Sequence, residues 1–268
     1  MNIKSLVFIL TSLLVISNIT QTHITFGMAT HQNKRPYQED RFAHHIFYTK
    51  EYFFGIYDGH GGSNVSTFLQ QQLHTYLVGP YFTVQRACEN AFSKAEEYSL
   101  QNYTDGSTAL MVLVDSHNNL HCAWTGDTRA VLEKDGAVAF ETIDHKPEAA
   151  TELARIKQCG GTIAKWGVWR VGGLAIARSI GDVGVKNMCP GQVIAVPDYA
   201  KIALQKNNHF MIMASDGLWD VMSSEEAVTK VHNMLKKVTD LNLVAQNLQD
   251  EAITRGSADN ITICVIRF

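Results

Sequence analysis

Four aspartates stand at the ends of apolar segments. Asp58 follows YFFGIY, Asp127 follows AWTG, Asp216 follows FMIMAS, and Asp259 comes just before the last apolar run. The end of a strand is where a chain leaves the core, so a carboxylate there can face water or a cation. If those ends converge, the repulsion among the anions needs compensation, and divalent cations with oxygen ligands supply it. A single aspartate in such a place reads better as a turn or capping residue. Four of them beside glycine or asparagine, in DGHGG, GDTR, DGLWD and DN, point instead to a shared cation site.

The elements that must carry these residues can be read from hydrophobic period. Tyr52–Tyr57, Ala109–Val114, Leu120–Trp124, Phe210–Ala214 and Ile261–Phe268 are short, β-branched or aromatic, and of strand length. Arg129–Glu141 reads as a hairpin turning at Asp135–Gly136. Val65, Phe68, Leu69, Leu73, Tyr76 and Leu77 fall on one face of a helix, and Val84, Ala87, Cys88, Ala91, Phe92 and Ala95 on that of the next. Ser223–Glu226 fits a capping box before a helix running to about Lys237, and Asp240 caps a last helix ending at Gly256. The economical packing is α+β: a four-layer α/β/β/α sandwich of two antiparallel sheets flanked by helix pairs.

Composition narrows the function. A 46% apolar fraction in 268 residues allows a sizeable core, and the net charge of −3 argues against a nucleic-acid binder driven by backbone charge. No linker or repeat divides the chain, so residues 22–268 read as one domain, expected to be monomeric. The five cysteines are scattered and never in CxxC spacing, which suggests neither a disulfide framework nor a zinc site. Lys4 followed by SLVFILTSLLVIS (Ser5–Ser17) resembles a secretory signal or an anchor, which favours secretion or membrane attachment for residues 1–21. The alternative is an extra packed strand or helix on a cytoplasmic domain. Glycosylation acceptors at Asn64 and Asn260 flank the proposed metal site, which makes passage through a glycosylating lumen awkward.

Eight ordered segments carry a family resemblance: RPYQED (Arg35–Asp40), YDGHGG (Tyr57–Gly62), GSTALMVLV (Gly106–Val114), TGDTRAVL (Thr125–Leu132), DHKPEAATELARIKQCGG (Asp144–Gly161), RVGGLAIARSIGD (Arg170–Asp182), ASDGLWDVMSSEEAV (Ala214–Val228) and SADNIT (Ser257–Thr262). Together they resemble the metal-dependent protein phosphatases of type 2C. Gln38 and Ile180 depart from the commoner Met and Leu or Phe, at positions that the resemblance does not assign to metal or phosphate.

The resemblance implies hydrolysis of phosphoserine and phosphothreonine in proteins by a two-metal-activated water, with Mg²⁺ or Mn²⁺ as cofactor. Asp58 would bridge both metals, Asp216 and Asp259 would complete one site, and Glu39 with the Gly59 carbonyl would hold the other. Asp127 and Asp220 would help Asp216 hold a weaker third ion. Arg35 would bind the phosphate, His60 would act as general acid, and the segment Asp144–Asp182 would be the helical and flap region beside the site. These roles suit the chemistry: a phosphate dianion must be neutralised before attack, and a serine alkoxide needs a proton to leave. Two other readings share the fold: a catalytically weak scaffold, which the retained Asp58, Asp216 and Asp259 disfavour, and an enzyme acting on small phosphomonoesters.

Overall fold

The computed structural model describes residues 24–79, 81–205 and 210–268, and the apolar N-terminal segment Ser5–Ser17 lies outside them. Two five-stranded antiparallel sheets dominate. One runs, in spatial order, Thr25–His31, Ile261–Arg267, Phe210–Ala214, Arg129–Lys134 and Ala137–Glu141. The other runs Asp198–Ala203, Asn119–Thr125, Ala109–Val114, Tyr52–Tyr57 and Arg41–Ile46.

The unbroken apolar runs follow from burial on both faces. In ALMVLV, Leu110, Val112 and Val114 point between the sheets, while Ala109, Met111 and Leu113 point outward under helices. Ile261–Arg267 divides likewise: Cys264 and Ile266 face the other sheet, and Ile261, Ile263 and Val265 face helices. The helices Asn64–Gln72 and Val84–Asn102 cover the second sheet, and Ser224–Leu235 and Leu241–Thr254 cover the first. The four-layer sandwich expected from the sequence is what forms.

Local chemistry sets the boundaries. Ser223 and Glu226 form the full capping box, and Asp240 accepts from the Asn242 amide. Asp135 and Gly136 have φ of 53° and 83°, the pair of left-handed residues that a tight hairpin turn needs. One expected helix is shorter than its apolar stripe: it stops at Gln72, and Leu73–Leu77 continues as a 3₁₀ turn. Three edge strands were not expected: Thr25–His31, Arg41–Ile46 and Asp198–Ala203. The segment Asp144–Asp182 holds the helix Ala150–Gln158 and a hairpin, Ile163–Trp166 with Val168–Val171, that pairs only within itself. No helix among the described residues is long and apolar enough to cross a membrane.

Thr25–His31 pairs along its whole length with Ile261–Arg267 and lies under the helix Leu241–Thr254. A chain beginning at Thr22 should therefore unfold cooperatively at the same temperature as the full chain. A chain beginning at Gln32 should lose an edge strand, uncover Ile263 and Val265, and aggregate. Thermal unfolding and size-exclusion chromatography of the two chains check this.

Candidate metal centre

The four aspartates come from the ends of four strands, at one edge of the sandwich. Asp58 ends Tyr52–Tyr57, and its amide donates to Thr108 Oγ1 (3.0 Å) while its carbonyl accepts from the Thr108 amide (2.9 Å). Asp127 lies in the three-residue link by which Asn119–Thr125 of one sheet passes to Arg129–Lys134 of the other. That link is tight: Gly126 has φ of 95°, and a Cβ there would stand 2.5 Å from Thr108 Cγ2. Asp216 opens the short helix Asp216–Trp219, where a Cβ on Gly217 would be 2.0 Å from the Asn260 carbonyl oxygen. Only glycine lets these two segments meet, which brings Asp216 beside Asp259.

Asp58, Asp127 and Asp216 each offer a carboxylate oxygen, all within 4.8 Å of one another. They line a cavity of about 260 Å³ together with Arg35, Glu39, Gly59, His60 and Asp259. Eight of the nine residues singled out in the sequence thus share one cavity. The ninth, Asp220, is exposed at the end of the Asp216 helix and does not line it. Three carboxylates at this separation form a hard-oxygen donor set that could hold a metal ion.

Burial and mutual repulsion dominate the electrostatics. The Asp58 carboxyl is pushed well above the usual carboxylate range by burial and by Asp40, Asp216, Asp127 and Asp259. Asp216 is raised by burial and by Asp127, Asp220 and Asp259, against an opposing pull from Lys146. Asp40, fully enclosed behind Asp58, is raised to about 6 by burial even though Ser215 Oγ donates to it at 2.7 Å. Its Oδ1 has no hydrogen-bond partner. Two cations face the cluster: Arg35 pairs with Asp259, and Lys146 with Asp127. Burial lowers the pKa of each cation, yet the acidic neighbours raise it overall.

His60 belongs to a separate small sheet, Gly59–His60 with Gly106–Ser107 and Ile180–Gly181. His60 pairs with Gly106 and Gly181 with Gly106, so Asp182 emerges beside the imidazole. His60 Nε2 is 2.9 Å from both Asp182 oxygens. Burial would lower the His60 pKa, but the Asp182 hydrogen bond and charge, with Asp127 and Glu39, raise it.

Three residues support the centre although their sequence context assigns them no part in it. Asp182 and Lys146 lie inside the motifs RSIGD and DHKP. The third is Asn260, which is buried, so its side chain cannot accept a glycan in the folded chain. Its Oδ1 accepts from the Glu39 amide (2.8 Å), and its Nδ2 donates to the carbonyls of Gln32 (2.9 Å) and Tyr37 (3.0 Å). It thereby ties down the loop that carries Arg35 and Glu39. His145 holds the loop that carries Asp127: its amide donates to the Gly126 carbonyl (2.9 Å), and the Gly126 amide donates to its Nδ1 (3.1 Å).

A family model described as protein phosphatase 2C matches residues 30–261. The probable protein phosphatase 2C 59 of Arabidopsis thaliana is 36% identical over 256 residues, spanning 91% of this chain and 79% of that protein. The probable protein phosphatase 2C 59 of Oryza sativa subsp. japonica is 35% identical over 263 residues, 91% and 76% of the two chains. Among solved structures, a phosphatase from a pathogenic strain of Toxoplasma gondii shares the fold with a TM-score of 0.82 at 23% identity, covering 91% of this chain and 92% of its own. A sex-determining protein of C. elegans does so with a TM-score of 0.83 at 21% identity, covering 92% and 65%.

The three hydrogen bonds of Asn260 yield a prediction. Asn260→Ala leaves one amide and two carbonyls without that partner, at about 1–3 kcal/mol for a buried unsatisfied group. Urea unfolding should show the midpoint falling with an unchanged m-value.

Proposed function

Because the chain belongs to the protein phosphatase 2C family and is a metal-dependent serine/threonine protein phosphatase, we propose that the acidic cavity is its catalytic centre and that Mg²⁺ or Mn²⁺ fills it. The observation that carries this is the approach of the Asp58, Asp127 and Asp216 carboxylates to within 4.8 Å in a cavity that also holds an arginine and a histidine. Asp58 would be shared by two ions, with Asp216 and Asp259 on one and Glu39 and the Gly59 carbonyl on the other. Asp127 would hold a weaker third ion with Asp216 and, from the exposed end of its helix, Asp220. When bound, such ions lower the pKa of water and neutralise phosphate.

The chain's own residues account for the rest of the reaction. The Arg35 side chain, 54% exposed and already bonded to one carboxylate, presents a planar fork suited to phosphate oxygens at the cavity mouth. The Asp182 carboxylate engages Nε2 of His60, which fixes the ring and leaves Nδ1 as the nitrogen that delivers a proton to the departing serine or threonine oxygen. The raised pKa favours the doubly protonated ring, the form in which Nδ1 carries a proton while Nε2 donates to Asp182. We take residues 22–268 as the catalytic domain, acting as a monomer on phosphoproteins and not on nucleic acid, and residues 1–21 as a signal or anchor that takes the chain to a membrane or out of the cell.

Rates on phosphoserine and phosphothreonine peptides, set beside rates on small phosphomonoesters, test the substrate class. A preference for the small esters would replace this reading. The role of His60 has a sharper test, because p-nitrophenolate leaves without protonation whereas a serine alkoxide does not. His60→Gln should slow phosphopeptide hydrolysis by about 10²–10⁴-fold and p-nitrophenyl phosphate hydrolysis far less, while Arg35→Ala harms both. Equal losses on the two substrates at saturating Mn²⁺ would remove His60 from this role.

The raised carboxyls give a second test. A carboxyl whose folded-state pKa lies above its unfolded value binds more protons when folded, so stability falls as pH rises from about 4 through the folded pKa. Near neutral pH the metal-free centre is therefore a source of instability. Asp58→Asn removes one anion: in EDTA its melting temperature should exceed that of the wild type, at about 2–4 °C per kcal/mol for a domain of this size. Adding Mg²⁺ should stabilise the wild type and leave the variant unchanged, as read by differential scanning fluorimetry.

A further inference from the structure

The scattered cysteines are not all equivalent in space. Cys88, Cys122 and Cys264 are fully buried, whereas Cys159 and Cys189 are half-buried and their sulfurs lie 4.0 Å apart. Thirty positions separate them in sequence, and the thiols face one another across the root of the flap. Cys159 caps the C-terminus of the helix Ala150–Gln158, and Cys189 that of the helix Val183–Met188. The Cys159 thiol points to the Ile156 carbonyl (3.1 Å), and the Cys189 thiol to the Cys159 carbonyl (3.6 Å).

We propose that Cys159 and Cys189 form a reversible disulfide under peroxide, and that this bond restrains the flap and slows turnover of phosphoprotein substrates. Two thiols meeting at van der Waals distance need a movement of about 2 Å to reach the S–S bond length, and both stand at helix ends rather than inside rigid strands. The step balances with hydrogen peroxide as oxidant. One thiolate attacks the O–O bond to give a sulfenic acid and, with a proton, water; the second thiol then displaces a second water from the sulfenic sulfur. The sulfurs together lose two electrons, and a dithiol reductant reverses the bond by exchange. The three buried thiols are shielded from the oxidant, which makes the reaction selective.

The consequence for activity follows from what lies between the two cysteines. Residues 159–189 include the self-paired hairpin Ile163–Val171, whose Trp166 is 70% exposed, and Arg170, Leu174, Ala175 and Ile176, which form one wall of the catalytic cavity. They also include Asp182, the partner of His60. Closing this segment into a ring ties the hairpin's root at both ends. Because Arg170 of the hairpin lines the cavity, a polypeptide substrate would meet the hairpin over a larger surface than a small ester does. The bond itself is independent of the proposed catalytic roles, while its effect on turnover rests on them.

The experiment treats the Mg²⁺-loaded full chain with hydrogen peroxide, removes the excess with catalase, and measures intact mass, a non-reduced peptide map, and kinetics on a phosphopeptide and on p-nitrophenyl phosphate. The expected result is a loss of about 2 Da per chain, with residues 159 and 189 recovered in one linked peptide. KM for the phosphopeptide should rise several-fold, p-nitrophenyl phosphate turnover should stay unchanged, and dithiothreitol should restore the starting values. Cys159→Ser and Cys189→Ser should each keep the reduced enzyme's kinetics and lose the response. Sulfenic or sulfinic acid without the cross-link would overturn the disulfide. A cross-link with unaltered phosphopeptide kinetics, or one that slows both substrates equally, would overturn the flap restraint. Inactivity of the reduced enzyme on both substrates would count against the catalytic centre itself, whatever the mass of the oxidised chain.

Discussion

Mutual repulsion among enclosed carboxylates is the constraint on which the rest of the structure depends. Asp40, Asp58, Asp127, Asp216 and Asp259 gather where the two sheets end, and the protein supplies only partial compensation through Arg35 and Lys146. Placing like charges together in a poorly solvated site is unfavourable. The arrangement survives because each aspartate is anchored by backbone it does not control. Asp58 is bound on both sides of its peptide by Thr108, Asp127 is confined to a three-residue crossing, and Asp216 is held against Asn260 by a contact that only glycine permits.

That anchoring draws its stability from the sandwich. The central strands are apolar on both faces and contribute to three layers of core at once: under the first helix pair, between the sheets, and under the second pair. Each fully buried Phe, Ile, Leu or Val contributes about 1.5–3 kcal/mol of transfer free energy, so a scaffold with many of them can hold several unfavourable carboxyls at its edge. The cluster sits at strand ends because placing it further in would remove those contacts, and placing it further out would let water separate the charges.

Legibility in the sequence followed the range of the interactions. The aspartates at Asp58, Asp127 and Asp216 could be read because apolar runs stop abruptly in front of them, and the capping residues Ser223 and Asp240 because their partners lie two or three residues away. The edge strands could not: RFAHHI has a single buried residue, Ala43, and the polar positions on its open side blur the period. Asp182, Lys146 and Asn260 escaped for another reason. Their partners are 122, 19 and 221 residues distant, and only the closed fold makes them neighbours. Asp220, one helical turn after Asp216, lies outside the cavity lining, yet its charge still raises the Asp216 carboxyl.

The division of the site between two scaffolds has a mechanical meaning. The carboxylates belong to the sandwich, whose sheets are locked by core on both faces. His60 belongs to the three short strands that link the Asp58 loop to the end of the flap, and its partner Asp182 adopts a left-handed backbone, φ 59°, uncommon for a non-glycine residue though tolerated by aspartate. Ser179 and Lys186 hold its side chain in place: the Ser179 hydroxyl donates to Asp182 Oδ2 (2.5 Å), and Lys186 donates to the Ser179 carbonyl (2.8 Å) and to Glu96 (2.5 Å) on the long helix Val84–Asn102. The partner of His60 is therefore held to the helix layer over the second sheet rather than to the hairpin. The carboxylates and the His60–Asp182 pair are thus both tied to the sandwich, the first through strand ends and the second through Lys186 and the long helix, while the hairpin Ile163–Val171 stands apart from either sheet.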